Sequence, residues 1–526
     1  MSTPIGDTIE SQTNVRADSY TTAWKQSLPN LDLDGVEYKS LPSGLHSVQN
    51  DLVYFIHENY AGVSAFVQEE ADERHRNASF VAVGVLVESH GRLGRAWVHA
   101  DELLRLATDL VKKPSDTRAM EVFWKKHKLD DDHTRSGKAS PSMRRESLAA
   151  ATSNVSAQHP ALLMSSLLDR FGPLLFPLYR ASLLRKRVLF MGSPPVKVNC
   201  NAVYILSVLA SLPTALNEVL QPDAEPLFRT KTLFSVGIHD IPVLSAPSGK
   251  SGWIGTTTDD ILGEKHQLYD ILVDLPPAGD GDSPRRWPKV RTSESKGVKA
   301  TQRDLRRYRL LRRELKHIQL ARKRYRDSIE NGHENDDDDD EHEASPLMRS
   351  ASALKQDAQV EEMQDGESEV VEPMGWTAMA YDSFMWWASA GEQEGLGQEE
   401  ESADRRLLGD LPDISRAMPT SSEDDLGEGD IFEPQETATV LTAYFHRLTS
   451  LIIQTLAGIV AEADDETEEG IEEDVIQVSA DDVKRMGLDS WSEADKEFVR
   501  EAMKLYFERE AVVADGSVRM CGMKIC

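Results

Sequence analysis

Between His159 and Pro213 the chain reads HPALLMSSLLDRFGPLLFPLYRASLLRKRVLFMGSPPVKVNCNAVYILSVLASLP, its densest apolar stretch. Leu162, Leu163, Leu167, Leu168 and Phe171 recur at the 3.6-residue interval of a helix stripe. Gly172-Pro173 breaks that helix, and Pro177 suits the first turn of a second one over 178–184. Arg187 to Met191 is a short β-prone run closed by Gly192-Ser193-Pro194-Pro195. A third helix over 199–212 stops at Pro213. A strand apolar on both faces must lie between layers. The run therefore predicts the heart of an α/β domain, with the rest of the chain packed around it or hanging off it.

Strand signals precede it. Leu52 to Ile56, Gly62 to Gln68 and Ala78 to Val87 are β-prone and separated by polar turns, as in an antiparallel meander. Helices over 97–111 and 120–128 follow, so 20–130 reads as a small α/β lobe and 131–158 as a polar linker. Residues 1–19 are polar and are expected to be disordered. After the central run, 233–236, 239–244 and 269–275 read as strands, which closes a second α/β domain over 159–277. Residues 278–300 read as a Pro/Gly/Ser-rich linker. Residues 301–329 form a basic helix with a narrow stripe of Leu305, Tyr308, Leu311, Leu315, Ile318 and Tyr325. That stripe packs a solvated helix, lies on a membrane or binds a partner helix. An acidic, disordered linker is expected over 330–374, with aspartate at every position from 336 to 340. Residues 375–526 read as a helical region with acidic insertions. Its clustered aromatics Trp376, Tyr381, Phe384, Trp386 and Trp387 are expected in its core. One helix spans 440–461 and is split at Gly458, one runs from Ala480 to Met486, and one, capped by Ser492, covers 493–507.

Charge narrows the function. The formal net charge of −30 excludes the phosphate-facing basic surface that nucleic-acid binding needs. It also opposes adhesion of the chain as a whole to anionic lipid. Cys200, Cys521 and Cys526 make no Cys-x-x-Cys, so a reducing compartment without structural zinc is expected. The first 25 residues hold no apolar core of a signal peptide, and Met523 stands where a prenylation box needs cysteine. The longest clean apolar runs, 202–212 and 451–461, are too short to span a bilayer. A soluble intracellular protein is expected.

The motif search finds little chemistry. Gly249-Lys250-Ser251 resembles the end of a phosphate loop, but Leu244 replaces the leading glycine and an extended run follows where a helix should start. Thr258-Asp259-Asp260 reads either as a carboxylate pair or as the cap and first turn of a short helix. Arg185-Lys186-Arg187 reads either as an anion site or as a helix C-terminus complementing its dipole. The histidines show no ligand spacing, no G-x-S-x-G is present, and the aspartate run lacks the calcium-loop pattern. No cofactor, metal or catalytic side chain is expected.

Several blocks, in order, do resemble a family. GVEYKSLPSGLH (35–46), DLVYFIHENYAG (51–62), FPLYRASLLRKRVLFMGSPP (176–195), LFSVGIHDIP (233–242), GWIGTTTDDIL (252–262) and LYDILVDLP (268–276) look like the LCHN branch of DENN-domain proteins in its fungal form. The resemblance implies a tripartite DENN module: a longin-like α/β lobe at 20–130, a central α/β DENN lobe at 159–277 and a helical C-terminal lobe at 375–526. It implies a guanine nucleotide exchange factor for a Rab-type small GTPase, gripped between the first two lobes, with no chemistry of its own. A trafficking scaffold of the same fold, and an NTP-using enzyme built on Gly249-Lys250-Ser251, remain as alternatives. Arg185, Lys186, Asp259 and Asp260 are the candidate contact or signature residues. Residues 6–22 supply no apolar first strand, so the first lobe either lacks an edge strand or starts elsewhere. The expected location is the cytoplasm, peripherally on endomembranes, with 301–329 as the membrane-facing element.

Overall fold

The computed structural model describes residues 8–16, 19–25, 32–42, 47–70, 78–89, 96–128, 158–220, 228–246, 251–277, 286–332, 366–373, 379, 395–409, 429–468, 475–514, 519–520 and 523–524. The aromatic cluster at 376–387, the aspartate run at 336–340, Gly249-Lys250, Cys521 and Cys526 lie outside the described residues.

The first elements are β1 (Thr8–Arg16), β2 (Ser19–Lys25), α1 (Val36–Lys39), β3 (Asn50–His57), β4 (Tyr60–Glu70), β5 (Ala78–Glu88), α2 (Ala100–Lys112) and α3 (Arg118–His127). Strands β3, β4 and β5 pair antiparallel, in the expected meander. Val63, Ala65, Val83 and Val85 pack on one face with Leu103, Ala107 and Leu110 of α2. Phe55 and Leu86 meet Leu33 and Val36 of the α1 segment in a separate cluster. Two covered faces explain why these strands are apolar almost throughout rather than alternating.

Strand β1 corrects the expectation of disorder over 1–19. It pairs with β5 from Thr8↔Val85 to Ser11↔Ala82 and with β2 on its other side. Sheet ladders are made by main-chain N–H and C=O groups, so a polar segment carrying Thr8, Ile9, Thr13 and Val15 extends a sheet without an apolar run.

The central run follows as α4 (Met164–Phe171), α5 (Leu175–Leu183), β6 (Val188–Met191) and α6 (Val196–Leu209). By length and composition Pro160–Leu183 would cross a bilayer. It is instead broken at Gly172, whose φ of 54° lets the chain turn beneath Trp287. Next come β7 (Lys231–Ser235), α7 (Ile241–Leu244), β8 (Trp253–Thr257), α8 (Asp260–Gly263), β9 (Ile271–Asp274) and β10 (Lys289–Thr292). The expected strand at 239–244 is a helical turn followed by α7. Pro242 is the reason: it has no N–H for a ladder and fits the first turn of a helix. The expected linker 278–300 contains β10, which pairs antiparallel with β9. Its Pro/Gly/Ser composition hides Trp287 and Val290, both buried.

These ten strands form one sheet, ordered β10-β9-β6-β8-β7-β3-β4-β5-β1-β2. The parallel half (β9, β6, β8, β7) and the antiparallel half (β3 onward) share a seam at β7 and β3.

Helix α9 (Gln302–Gly332) is the expected basic helix, but its stripe from Tyr308 to Ile318 is not free for a membrane. Tyr308, Leu311, Leu315 and Ile318 are buried, as are Arg303 and Arg307. They pack with α10 (Gly395–Leu408) and α11 (Gly429–Glu468). Helix α11 runs unbroken through Gly458, where the expectation was a split. β11 (Val475–Val478), α12 (Ala480–Arg485), α13 (Glu493–Phe507) and β12 (Glu510–Val513) close the helical region. Phe445 of α11 lies 5.5 Å from Phe176 and 5.0 Å from Tyr179, both on α5. One hydrophobic cluster accordingly contains residues from Leu52 to Val513, with no break in the core between the three expected lobes.

Candidate partner-binding surface

Parallel strands end with their carboxyl ends on one side, and the crevice outside those ends is where open α/β sheets present their binding surfaces. Past β7 the chain places Gly237, Ile238, His239 and Asp240 there. Past β8 it places Thr258, Asp259 and Asp260. The two turns meet: a Cβ on Gly237 would sit 3.5 Å from the Asp259 Oδ2. The N–H of Gly237 donates to the Asp240 Oδ2 at 3.0 Å, which closes the first turn.

The antiparallel half completes the surface. Tyr38 of α1 stacks on His239 with ring centroids 4.4 Å apart. Lys39 Nζ pairs with the Asp240 Oδ1 at 2.6 Å and donates to the Ile56 carbonyl at 3.0 Å. Around this joint Tyr38 is 49% exposed, Ile238 46%, Val243 57% and Ile261 54%. Asp260 is exposed beside Ile261. A clustered set of exposed apolar residues rimmed by charge marks a contact surface for another protein. This one is assembled from both halves of the sheet.

The joint beneath is held by side chains more than by the ladder. Only Phe55↔Phe234 pairs β3 with β7, and β7 slips register between Thr232 and Phe234, where Phe234 has a φ of 57°. Asp51 of β3 ties the halves instead. Its carboxylate accepts from the N–H of Val196 at 2.6 Å and of Lys197 at 3.1 Å, which caps the start of α6. Burial pushes the Asp51 carboxyl above its ordinary range, and those N–H donors partly offset the rise. Beside it lies a cavity of about 10 Å³ lined by Tyr54, Trp97, Cys200, Asn201 and Phe234. The Tyr54 hydroxyl and the Asn201 Oδ1 have no partner, and the space suits one water.

Of the four candidates from sequence, Asp259 and Asp260 reach this surface, as the cap and first turn of α8. Arg185 and Lys186 do not. Arg185 is 6% exposed. Its Nη1 donates to the carbonyls of Ser182 and Ala210 and to the Thr230 hydroxyl, at 2.8, 3.3 and 2.8 Å. It thus caps the C-termini of α5 and α6, and burial lowers its pKa. Lys186 Nζ reaches Glu501 of α13 at 2.6 Å. Gly252 lies against the Arg185 main chain, and β8 begins at the next residue, so no helix N-terminus follows the Gly249-Lys250-Ser251 string. Among the described residues no three His, Cys, Asp or Glu converge to hold a metal. Sequence reasoning missed Tyr38, Lys39, Ile238, His239, Val243, Ile261 and Asp51 as site or support residues. For all but Asp51 the signal lay in helices and turns of a few residues, each too short to show periodicity, and Asp51 reads only as the polar residue before an apolar run.

Residues 17–283, which take in the whole of this surface, match the family described as DENN domain-containing protein 11. The chain belongs to the DENN-domain family. Residues 371–474 and 467–526 match a domain of unknown function, DUF4484. The DENN domain-containing protein 11 of Xenopus laevis is 30% identical over 253 residues, which cover 47% of this chain and 54% of that one. The Mus musculus protein of the same name is 32% identical over 251 residues, 47% and 52% of the two chains. The chain thus spans about half the length of these curated relatives. The uncharacterized protein ANR2 of Saccharomyces cerevisiae is 23% identical over 536 residues, 94% of this chain and 89% of that one. The DENN match therefore covers the sheet from β2 through β9, and the second match covers α10 to β12.

Proposed function

We propose that this chain is a guanine nucleotide exchange factor for a Rab-type small GTPase in membrane traffic, and that it belongs to the LCHN branch in its fungal form. DENN-domain proteins are in general Rab exchange factors. The observation that carries the reading is the composite surface of Tyr38, Ile238, Val243, Ile261, Asp259 and Asp260, to which both halves of the sheet contribute. Such a surface, apolar with a carboxylate rim, accepts an apolar segment with basic neighbours. Exchange then needs no catalytic side chain. A partner that binds the nucleotide-free GTPase better than the loaded one must weaken nucleotide binding by the same factor. In this reading the longin-like lobe, 20–130, and the central lobe, 159–277, grip the GTPase, and the helical region braces the second of them. The GTPase rather than α9 brings the protein from the cytoplasm to endomembranes, because Tyr308, Leu311, Leu315 and Ile318 of the α9 stripe are buried.

The test is release of fluorescent GDP from a panel of purified Rabs with the full chain at catalytic amounts. Acceleration of at least one Rab is expected. Ile261→Asp should lower that acceleration tenfold or more, about 1.4 kcal/mol of lost contact, without changing the melting temperature. Unchanged release across the panel, with binding retained, would replace exchange by a scaffold role. Neither binding nor release would end the Rab reading.

A further inference from the structure

The buried charges between the helical region and the parallel half of the sheet are uneven in number. Arg180 of α5 makes a two-pronged pair with Asp304 at the start of α9, Nη1 to Oδ1 at 2.8 Å and Nη2 to Oδ2 at 2.7 Å. The same guanidinium turns its Nε toward Asp495 of α13, 3.2 Å from Oδ1. All three residues are buried. One cation thus faces two carboxylates. The neighbouring cations are committed elsewhere: Arg307 donates to Asp404 at 2.9 and 2.8 Å, and Arg303 lies 3.6 Å from the same carboxylate. Lys496, next in sequence to Asp495, pairs with Glu493 at 2.6 Å. The other groups turned toward the cluster are acids. Asp489, in the turn before α13, donates its backbone N–H to the Asp495 Oδ2 at 2.8 Å. Glu372, on the segment 366–373, accepts from the Ser492 hydroxyl at 3.1 Å. Arg306 stands further out and pairs with Glu400.

We propose that Arg180, Asp304 and Asp495 form a proton-linked latch: α13 docks on α5 with Asp495 as the neutral acid, and ionisation of Asp495 loosens that docking. Two further contacts place α13 on the same helix end. Lys186 pairs with Glu501, and the Tyr506 hydroxyl donates to the Leu183 carbonyl at 2.7 Å. The latch thus governs how firmly the region of unknown function holds the DENN fold. Burial lifts the Asp495 carboxyl to about 7, with Arg180 opposing and Asp304 adding to the rise. An acid whose folded pKa is raised keeps its proton when docked and loses it when free. Docking is therefore strongest at low pH, weakens as pH rises toward about 7, and changes no further above it.

Amide hydrogen exchange of 493–507 in the full chain, corrected for the intrinsic rate, reads this directly. Between pH 5 and 7 the opening constant should rise about tenfold per unit and then level off. Asp495→Asn keeps the shape without the proton and should give a flat profile. Asp304→Asn removes the competing charge and should move the levelling point to lower pH. A flat wild-type profile would overturn the latch whatever the variants do. So would an Asp495→Asn profile that keeps the wild-type slope.

Discussion

Asp51 shows how one buried carboxylate couples two parts of a sheet. It sits on β3, and two of its hydrogen bonds go to the first turn of α6, 145 and 146 residues further on. Nothing in DLVYFIH marks Asp51 as other than the polar residue before a strand, so the sequence could not reveal it. Replacing it by alanine leaves two helix-start N–H groups unpaired and should cost about 1–3 kcal/mol in a urea titration. Asparagine keeps an acceptor and should cost less. The sign with pH is set by burial, which raises the folded pKa. The aspartate therefore loses stability as pH rises above its unfolded value, and Asp51→Asn should compare more favourably with wild type at neutral pH than at a pH below the ordinary carboxylate range. The reverse order would mean that the N–H donors outweigh burial. Arg185 gives the complementary lesson. Arg185-Lys186-Arg187 is readable as a helix end, and Arg185 caps two of them, while Lys186 pairs with Glu501. A basic triplet does not say which of its members turns inward.

At the scale of elements, long periodic segments were legible and short ones were not. The stripes at 162–171 and 301–318 gave helices because many turns repeat the same spacing. The segment His239–Leu244 gave the wrong element because six residues contain less than two turns, and its proline was the only decisive mark. Most of the surface is illegible in the sequence for the same reason, since α1, α7 and α8 have four residues each. Glycines at element scale yield two predictions of opposite sign. A Cβ on Gly252 would lie 1.9 Å from the Arg185 carbonyl oxygen, so Gly252→Ala must displace main chain. It should cost about 3 kcal/mol or more, and equilibrium dialysis of the wild type should show no ATP or GTP bound there, because packing accounts for this glycine. Gly458 is exposed in mid-helix with nothing within 4 Å of a would-be Cβ. Gly458→Ala should therefore stabilise α11, by about 0.5–1 kcal/mol, as a higher melting temperature. A loss there would mean that the helix needs to bend at that point.

For the whole molecule, the sequence suggests division at its polar linkers, while the core joins what they separate. Phe176 and Tyr179 of α5 are buried against Phe445 of α11, and the Tyr179 hydroxyl lies 2.6 Å from the Thr449 Oγ1. Both α5 residues belong to the part matched as DENN, and both partners to the part matched as a domain of unknown function. A chain ended at residue 365 would uncover those rings at about 2 kcal/mol each. It would also leave Arg180 facing Asp304 without α13 to exclude water, and strip Asp404 from Arg307 inside a new surface. Removing one partner of a buried pair costs about 3–5 kcal/mol. The sum approaches the 5–15 kcal/mol that holds a typical domain together. The truncated chain should therefore melt without a cooperative transition and bind apolar dyes, whereas the full chain melts as one unit in calorimetry. A soluble, cooperatively melting fragment would show that the sheet carries enough core of its own. The helical region would then be a separable module that merely rests on it.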